Sequence, residues 1–166
     1  MHGAMRDAVH LLAAVVIAQA AAAGQSLLAP PTTAPKHLTV STSTSAPIVA
    51  PGSKVSLFID VTPNPGIHVY APGAEDYLPI AVTLKPVAGA SFDRTTYPKS
   101  GTVIVEGKPV PVFQKPFRLV EKVTVARTVK AGTTMTLSGV VDYQACDAMV
   151  CFKPATAPVA WILTVK

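Results

Sequence analysis

Charged residues and cysteines are both scarce in this chain, and each scarcity excludes a class of protein. Asp, Glu, Lys and Arg make up 14% of the 166 residues, and the net charge of +5 is spread along the sequence. Since no basic cluster interleaved with aromatic residues is present, we do not expect nucleic-acid binding. Two cysteines with no His close to them in sequence are too few for a closed zinc site, which takes four ligands. We therefore predict no metal centre and no bound cofactor.

Beyond the N-terminal segment there is also no apolar run of about 18 residues, so we predict no transmembrane helix there. At the N-terminus, Arg6 precedes an apolar run at residues 11–18, and alanines at 20–23 offer small-residue cleavage positions. This order predicts a secretory signal peptide over residues 1–23. Gln19 interrupts the run and no basic stop-transfer cluster follows, which argues against a retained membrane anchor. We therefore expect export into an oxidising compartment, where a cysteine pair is normally bonded.

A convincing helical period is missing as well, whereas the alternation of apolar and polar residues is strong. A flexible lead-in rich in Pro, Ala and Thr occupies residues 24–36, and residues 37–166 suffice for one domain. Turn signals occur at Pro51-Gly52, Pro65-Gly66, Lys108-Pro109 and Ala131-Gly132. We predict an all-β fold, an immunoglobulin-like antiparallel β-sandwich, with Trp161 in its core. The predicted strands lie at residues 37–45, 54–62, 67–70, 79–86, 117–127, 134–145 and 157–165.

Cys146 and Cys151 lie five positions apart, and this spacing requires a turn between them. In one straight strand they would be about 16 Å apart, whereas the Cα atoms of a disulfide lie within about 7 Å of each other. A hairpin with residues 147–150 at its tip would place the two cysteines opposite each other, at about 4.5 to 5.5 Å. A bond that closes so short a loop contributes only about 2 kcal/mol of stability. On spacing alone, a redox pair and a static hairpin disulfide remain alternatives.

The sequence around the cysteines resembles a known family. The segment VDYQAC at 141–146, followed by CFKP at 151–154, resembles the active-site strand of the periplasmic N-terminal domain of the thiol:disulfide interchange protein DsbD. Weaker similarity covers DVTPNPGIHVYAPG at 60–73 and TTYPKSG at 95–101, the second of which resembles the family's cap-loop region. The family fold is an immunoglobulin-like sandwich, which agrees with the strand pattern. Because the membrane and thioredoxin-like domains of full-length members have no counterpart here, we expect a free-standing module.

The resemblance implies a redox shuttle in the periplasm. A membrane-embedded thiol reductase would reduce the pair, and the reduced pair would then reduce disulfides of periplasmic thioredoxin-like or disulfide-isomerase proteins. By analogy, Cys151 would form the mixed disulfide with the partner and Cys146 would resolve it. Tyr97 or Phe92 would act as the lid over the disulfide, and His68 would assist proton transfer. The residues expected to support the redox site are Tyr143, Gln144, Asp147, His68, Tyr70 and Tyr97.

The residues next to the cysteines predict a thiol of low intrinsic reactivity. No helix N-terminus is near, Asp147 disfavours a thiolate, and only Lys153 favours one. We therefore expect slow exchange in isolation and faster exchange once a docked partner reshapes the site. Two other functions remain as alternatives. One is a binding or structural immunoglobulin-like module with a static disulfide, and the other is a copper-handling protein in which Met149 joins the thiols as a soft ligand.

Overall fold

The computed structural model describes residues 36–166, and these residues form strands and no helix. None of them belongs to a helix that is long and apolar enough to cross a membrane. The predicted signal peptide at 1–23 and the predicted lead-in up to residue 35 lie outside the described residues. The strands are β1 (Leu38–Thr44), β2 (Ile48–Val49), β3 (Lys54–Pro63), β4 (His68–Tyr70), β5 (Ala81–Leu84), β6 (Ala90–Phe92), β7 (Gly101–Val105), β8 (Lys108–Phe113), β9 (Phe117–Val125), β10 (Thr134–Tyr143), β11 (Ala145–Cys146) and β12 (Ala155–Val165).

Two four-stranded sheets form the body of the domain, in the orders β1-β3-β9-β6 and β2-β12-β10-β5. Their long strands alternate buried and exposed residues, as strands do when one face of the sheet packs on a core. The inward side chains of both sheets form one apolar core. Neighbouring strands are antiparallel, except that the short β2 pairs in parallel with the end of β12. The predicted immunoglobulin-like β-sandwich is confirmed.

Trp161 on β12 connects the two sheets by hydrogen bonds. Its side chain is buried, and its indole Nε1 donates hydrogen bonds to the carbonyl oxygens of Ser43 on β1, at 3.0 Å, and Phe58 on β3, at 3.3 Å. Beside it, the Thr42 hydroxyl donates to the Ala160 carbonyl at 2.9 Å. A buried indole that finds partners in the facing sheet fixes how the two sheets meet. The predicted core position of Trp161 is confirmed.

A third, smaller sheet of order β11-β4-β8-β7 positions the cysteines. Only one residue, Gln144, separates β10 from β11. Because β10 belongs to the body of the domain, the body determines where β11 lies. The small sheet has its own cluster of buried side chains, which differs from the main core in containing a tyrosine and a cysteine. The members of this cluster are Tyr70, Ala74, Val110, Val112 and Cys146.

The hairpin formed by β7 and β8 was not among the predicted strands, and the predicted turn at Lys108-Pro109 is wrong. The turn lies two residues earlier, at Glu106 and Gly107, whose φ angles of 50° and 77° suit a two-residue type I′ hairpin turn. Pro109 and Pro111 obscure the strand pattern, because proline is unusual in a central strand. Strand β4 pairs only with the last two residues of β8, so both prolines lie where that side of β8 has no strand partner.

Candidate redox site

Cys146 and Cys151 form a disulfide across the mouth of a hairpin. Their Cα atoms are 4.0 Å apart, and the two residues face each other as an antiparallel bridge. The predicted hairpin geometry is confirmed, with a slightly closer approach than expected. Cys146 is 1% exposed and pairs with His68 of the neighbouring strand β4, whereas Cys151 is an exposed residue. The bond therefore joins one buried cysteine to one that a partner can reach.

Asp147 holds the tip of the hairpin in shape. Its Oδ1 accepts hydrogen bonds from the backbone N–H groups of Met149, at 2.7 Å, and Val150, at 2.8 Å. This arrangement is the usual way in which an aspartate stabilises a tight turn. The Val150 and Met149 N–H groups hold the pKa of the Asp147 carboxyl below its ordinary value. Asp147 is therefore a carboxylate at neutral pH, and its negative charge next to the cysteines disfavours a thiolate.

Gln144 and Tyr143 anchor the base of the same hairpin. The Gln144 side-chain amide donates to the Phe152 carbonyl at 3.1 Å, and the Phe152 ring stacks on His37 with 3.8 Å between centroids. Tyr143 is buried in the main core, and its hydroxyl donates to the Lys36 carbonyl at 2.8 Å. Burial raises the pKa of Tyr143, so it remains a neutral donor. Both residues stabilise the base of the hairpin, and neither lines the concavity next to the sulfur atoms.

Tyr70 and His68 on β4 form the wall behind the disulfide. The Tyr70 hydroxyl oxygen lies 3.4 Å from the Cys151 sulfur and 3.5 Å from the Cys146 sulfur. The His68 ring meets the edge of Tyr70 at 5.5 Å, and its Nε2 is buried without a hydrogen-bond partner among the described residues. Burial lowers the pKa of His68, although the Asp147 charge opposes this shift. A neutral imidazole at this position supplies no positive charge to a thiolate.

A concavity of about 520 Å³ opens next to the sulfurs, and both apolar side chains and polar ones, such as those of Glu106, Gln114 and Asp147, line it. The β7–β8 hairpin forms one side through residues 103–106, and the hairpin tip of the cysteines forms the other. Ile104 is 69% exposed, Val150 55% and Met149 88%. Large apolar side chains exposed together around one site are typical of a surface that contacts another protein. The sequence signal for the β7–β8 contribution was the β-branched run TVIV before Glu106-Gly107.

Tyr97, expected at the redox site, lies elsewhere, as does the other lid candidate, Phe92. Both line a separate concavity of about 490 Å³, together with Thr95 and Glu121, and neither lines the one at the disulfide. Glu121 is buried and accepts a hydrogen bond from the Thr95 hydroxyl. Burial raises the pKa of the Glu121 carboxyl and that of the Tyr97 hydroxyl. The β7–β8 hairpin, and neither of these two aromatic residues, lines the concavity at the disulfide together with β4.

Within residues 36–166, no group of three or more His, Cys, Asp or Glu side chains is arranged to hold a metal ion. Of the soft ligands considered for copper, the two cysteines are joined in the disulfide, and the Met149 side chain extends into solvent at the hairpin tip.

The β-sandwich thus presents at one end a disulfide between one buried and one exposed cysteine. Residues 36–160 match the family described as "Thiol:disulfide interchange protein DsbD, N-terminal". The chain belongs to this family, and it is a module of the thiol–disulfide oxidoreductase type.

Two solved structures are similar to the chain in fold. The DsbD N-terminal domain of Neisseria meningitidis in its reduced form is 16% identical, with a TM-score of 0.50 over 82% of this chain and 91% of that one. The N-terminal periplasmic domain of ScsB from Proteus mirabilis is 14% identical, with a TM-score of 0.51 over 78% of this chain. The match covers 47% of the ScsB chain, so this chain corresponds to about half of it. A comparison with curated protein sequences gave no match.

Proposed function

We propose that the chain is an exported thiol–disulfide exchange module that carries reducing equivalents through the Cys146–Cys151 pair. A membrane-embedded thiol reductase supplies the electrons, and disulfides of periplasmic thioredoxin-like or disulfide-isomerase proteins receive them. The observation that supports this proposal best is the asymmetry of the pair, with Cys146 buried and Cys151 exposed at the rim of an open concavity. Family membership and the signal-peptide pattern at residues 1–23 support periplasmic action.

Because of this asymmetry, we propose different tasks for the two cysteines. In the reduced protein, the Cys151 thiolate attacks one sulfur of the partner disulfide, so that a mixed disulfide forms and one partner thiolate leaves. The Cys146 thiolate then attacks the Cys151 sulfur, which restores the internal disulfide and releases the second partner thiolate. Two electrons pass to the partner, and the two protons lost by the module's thiols balance the two that the partner gains. Reduction by the membrane donor is the same sequence in reverse.

The local charges favour an exchange that depends on docking. Asp147 is ionised beside the pair and His68 is neutral, so the nearest titratable groups oppose a thiolate or leave it unassisted. Thiols in such surroundings react slowly with small oxidants. A partner that covers the apolar rim would remove water from Cys151 and place its own disulfide within reach. The resulting selectivity is useful in a compartment where unprotected thiols are oxidised.

Trapping of the mixed disulfide tests the proposal. In a Cys146→Ser variant, the resolving thiol is missing, so Cys151 should accumulate as a mixed disulfide with its partners in the native periplasm. The matched control is Cys151→Ser, which keeps the buried thiol and should trap far less. Non-reducing gels followed by mass spectrometry identify the partners. If both variants fold and neither captures a protein with an exchangeable disulfide, the static-disulfide alternative replaces this proposal.

A further inference from the structure

The hydroxyl of Tyr70 is placed between the two reacting sulfur atoms. It lies 3.4 Å from the Cys151 sulfur and 3.5 Å from the Cys146 sulfur, within hydrogen-bonding range of both. Tyrosine hydroxyls that are buried need a partner, and Tyr143 shows the ordinary solution in this protein, a backbone carbonyl at 2.8 Å. Tyr70 is also buried, at 2% exposure, but the partners of its hydroxyl are the sulfurs. A disulfide sulfur is a weak acceptor and a thiolate is a strong one.

Two aromatic contacts hold the Tyr70 ring in this position. Tyr77 stacks on it with 4.2 Å between centroids and 21° between planes, and His68 meets it edge-on at 5.5 Å. A ring held by these two contacts cannot easily turn its hydroxyl away from the sulfurs. Burial, and to a lesser extent the neighbouring Tyr77, raise the pKa of Tyr70. The hydroxyl therefore keeps its proton over the physiological range and can only donate to an anion.

The buried cysteine is the one that needs a donor. When a partner thiolate attacks Cys151, the leaving group is the Cys146 thiolate, which is formed at a position that is 1% exposed. Burial destabilises a thiolate, and water cannot compensate for it there. The titratable side chains that line the concavity at the pair are those of His68, which is neutral, Asp147, which is a carboxylate, and the acidic residue Glu106, and none of them supplies a positive charge. Among the described residues, the Tyr70 hydroxyl is the hydrogen-bond donor that the structure directs at Cys146.

We propose that Tyr70 is a catalytic residue of the exchange reaction, which donates a hydrogen bond to the Cys146 thiolate whenever Cys151 is in a mixed disulfide. This inference rests on the proposed function and deepens it. The donor stabilises the leaving group when the pair is being reduced, and it keeps Cys146 ionised for its attack on Cys151 when the pair is being oxidised. Tyr70 retains its proton throughout, so the electron and proton balance of the exchange is unchanged.

The direct test is the pKa of the Cys146 thiol, measured from thiolate absorbance in a Cys151→Ser background that needs no partner. Replacing Tyr70 by Phe keeps the ring and removes the donor. We expect the Cys146 pKa to rise by about one unit, which is the loss of roughly tenfold in thiolate stability that one hydrogen bond to an anion supplies. Tyr77→Phe is the matched control, because it removes a tyrosine hydroxyl that has no contact with sulfur and keeps the ring that stacks on Tyr70, and it should not move this pKa.

The kinetic counterpart uses the protein with both cysteines. With Tyr70→Phe, release of a small-molecule thiol from its mixed disulfide with Cys151 should slow by about tenfold at neutral pH, since attack by Cys146 requires its thiolate. At pH values well above the thiol pKa the two rates should converge. Glutathione serves as the probe, because it forms a mixed disulfide without protein docking.

Two outcomes would overturn the proposal: an unchanged Cys146 pKa in a folded Tyr70→Phe protein, or an equal rise in the Tyr77→Phe control. If Tyr70→Phe does not fold, a ring-fluorinated tyrosine at position 70 provides the second variant. Its more acidic hydroxyl is a stronger donor and should lower the Cys146 pKa, and an unchanged pKa would again contradict the proposal. Failure to trap any protein partner would leave these thiol measurements intact, so the proposed function and the role of Tyr70 fail separately.

Discussion

The body of the domain and its redox end are built differently from the same kind of strand. In the body, strands of up to 11 residues pair along their length, and their inward side chains form a continuous apolar core. At the redox end, strands of two to six residues surround a buried tyrosine and a disulfide, while Ile104, Met149 and Val150 face solvent. The body can therefore supply the stability of the fold, and the redox end is free to expose the groups that react.

The two regions meet at the point where the body positions the cysteines. Strands β10 and β12 pair in continuous register from Thr134 to Tyr143, and the last pair is Tyr143 with Ala155. The hairpin that carries the disulfide begins directly after this pair. Ten residue pairs between β10 and β12 therefore fix the two ends of the hairpin that carries the cysteines. We therefore expect substitutions at the redox end to change thiol–disulfide exchange, and substitutions in the body to change the free energy of unfolding, each largely without the other.

Loss of Cys151 should have the largest effect, and the property affected should be thiol–disulfide exchange rather than stability. A Cys151→Ser variant lacks the accessible sulfur, so we expect exchange with a dithiol probe to be abolished. The free energy of unfolding should decrease by only about 2 kcal/mol, because the bond closes a short loop. Stopped-flow exchange with dithiothreitol and urea denaturation measure the two quantities. Substantial remaining exchange, or unfolding of the protein, would show that the division between the regions is wrong.

A core truncation in the body should have the opposite effect. Leu57 on β3 is fully buried between the sheets, so Leu57→Ala leaves a cavity and should cost about 2 to 5 kcal/mol. At a temperature where the variant is still folded, the reduction potential of the cysteine pair should stay within error of the original. Denaturant unfolding and equilibration with glutathione provide the measurements. A clear change in potential would mean that the core and the redox end are coupled.

A smaller loss of stability is expected where two strands of the body approach closely. A methyl group added at Gly139 on β10 would lie 2.7 Å from Leu84 Cδ2 and 3.0 Å from Leu84 Cα, and it would also meet the carbonyl oxygen of Thr83. Since the obstruction is largely backbone, strand β5 would have to move, at a cost of about 1 to 3 kcal/mol. The melting temperature of Gly139→Ala, compared with that of Gly107→Ala, tests this. Gly107 has open space around it but a positive φ, so its cost is that of backbone strain alone.

The smallest expected effect is a change in how stability depends on pH. Burial raises the pKa of Glu121 above its ordinary value of 4.5, so the folded state holds this proton more tightly than the unfolded state. The stabilisation is complete below about pH 4.5 and declines as the pH rises through the folded-state pKa. Glu121→Gln imitates the protonated side chain and should remove this decline. Urea midpoints from pH 4 to 8 measure it, and parallel profiles for the two proteins would refute the assignment.

The strands of the body could be predicted from the sequence, whereas those of the redox end could be predicted only in part. Long strands such as β3, β10 and β12 have one face on the core, so their alternation is visible in the residues themselves. The β7–β8 hairpin was missed because Pro109 and Pro111 look like turn residues, although the missing N–H groups fall where no strand pairs. The spacing of Cys146 and Cys151 required a hairpin, and the structure agrees.

The arrangement around the disulfide could not be deduced in the same way, because it depends on contacts between segments distant in sequence. Tyr70 reaches the sulfurs only because β4 pairs with β11, a pairing that no local pattern encodes. Tyr97 was expected at the pair from the similarity of its segment to a cap loop, yet its side chain lies beside Glu121. The exposed Ile104 comes to the rim through a hairpin some 40 residues before the cysteines.

The reduction potential of the Cys146–Cys151 pair distinguishes an exchange site from a static disulfide. Equilibration of the purified protein with glutathione or dithiothreitol buffers, followed by thiol alkylation and mass measurement, gives this value without knowledge of any partner. An exchange module should have a potential between about −120 and −270 mV, within the range of working thiol–disulfide couples. A value below about −300 mV is that of a structural disulfide and would contradict the account.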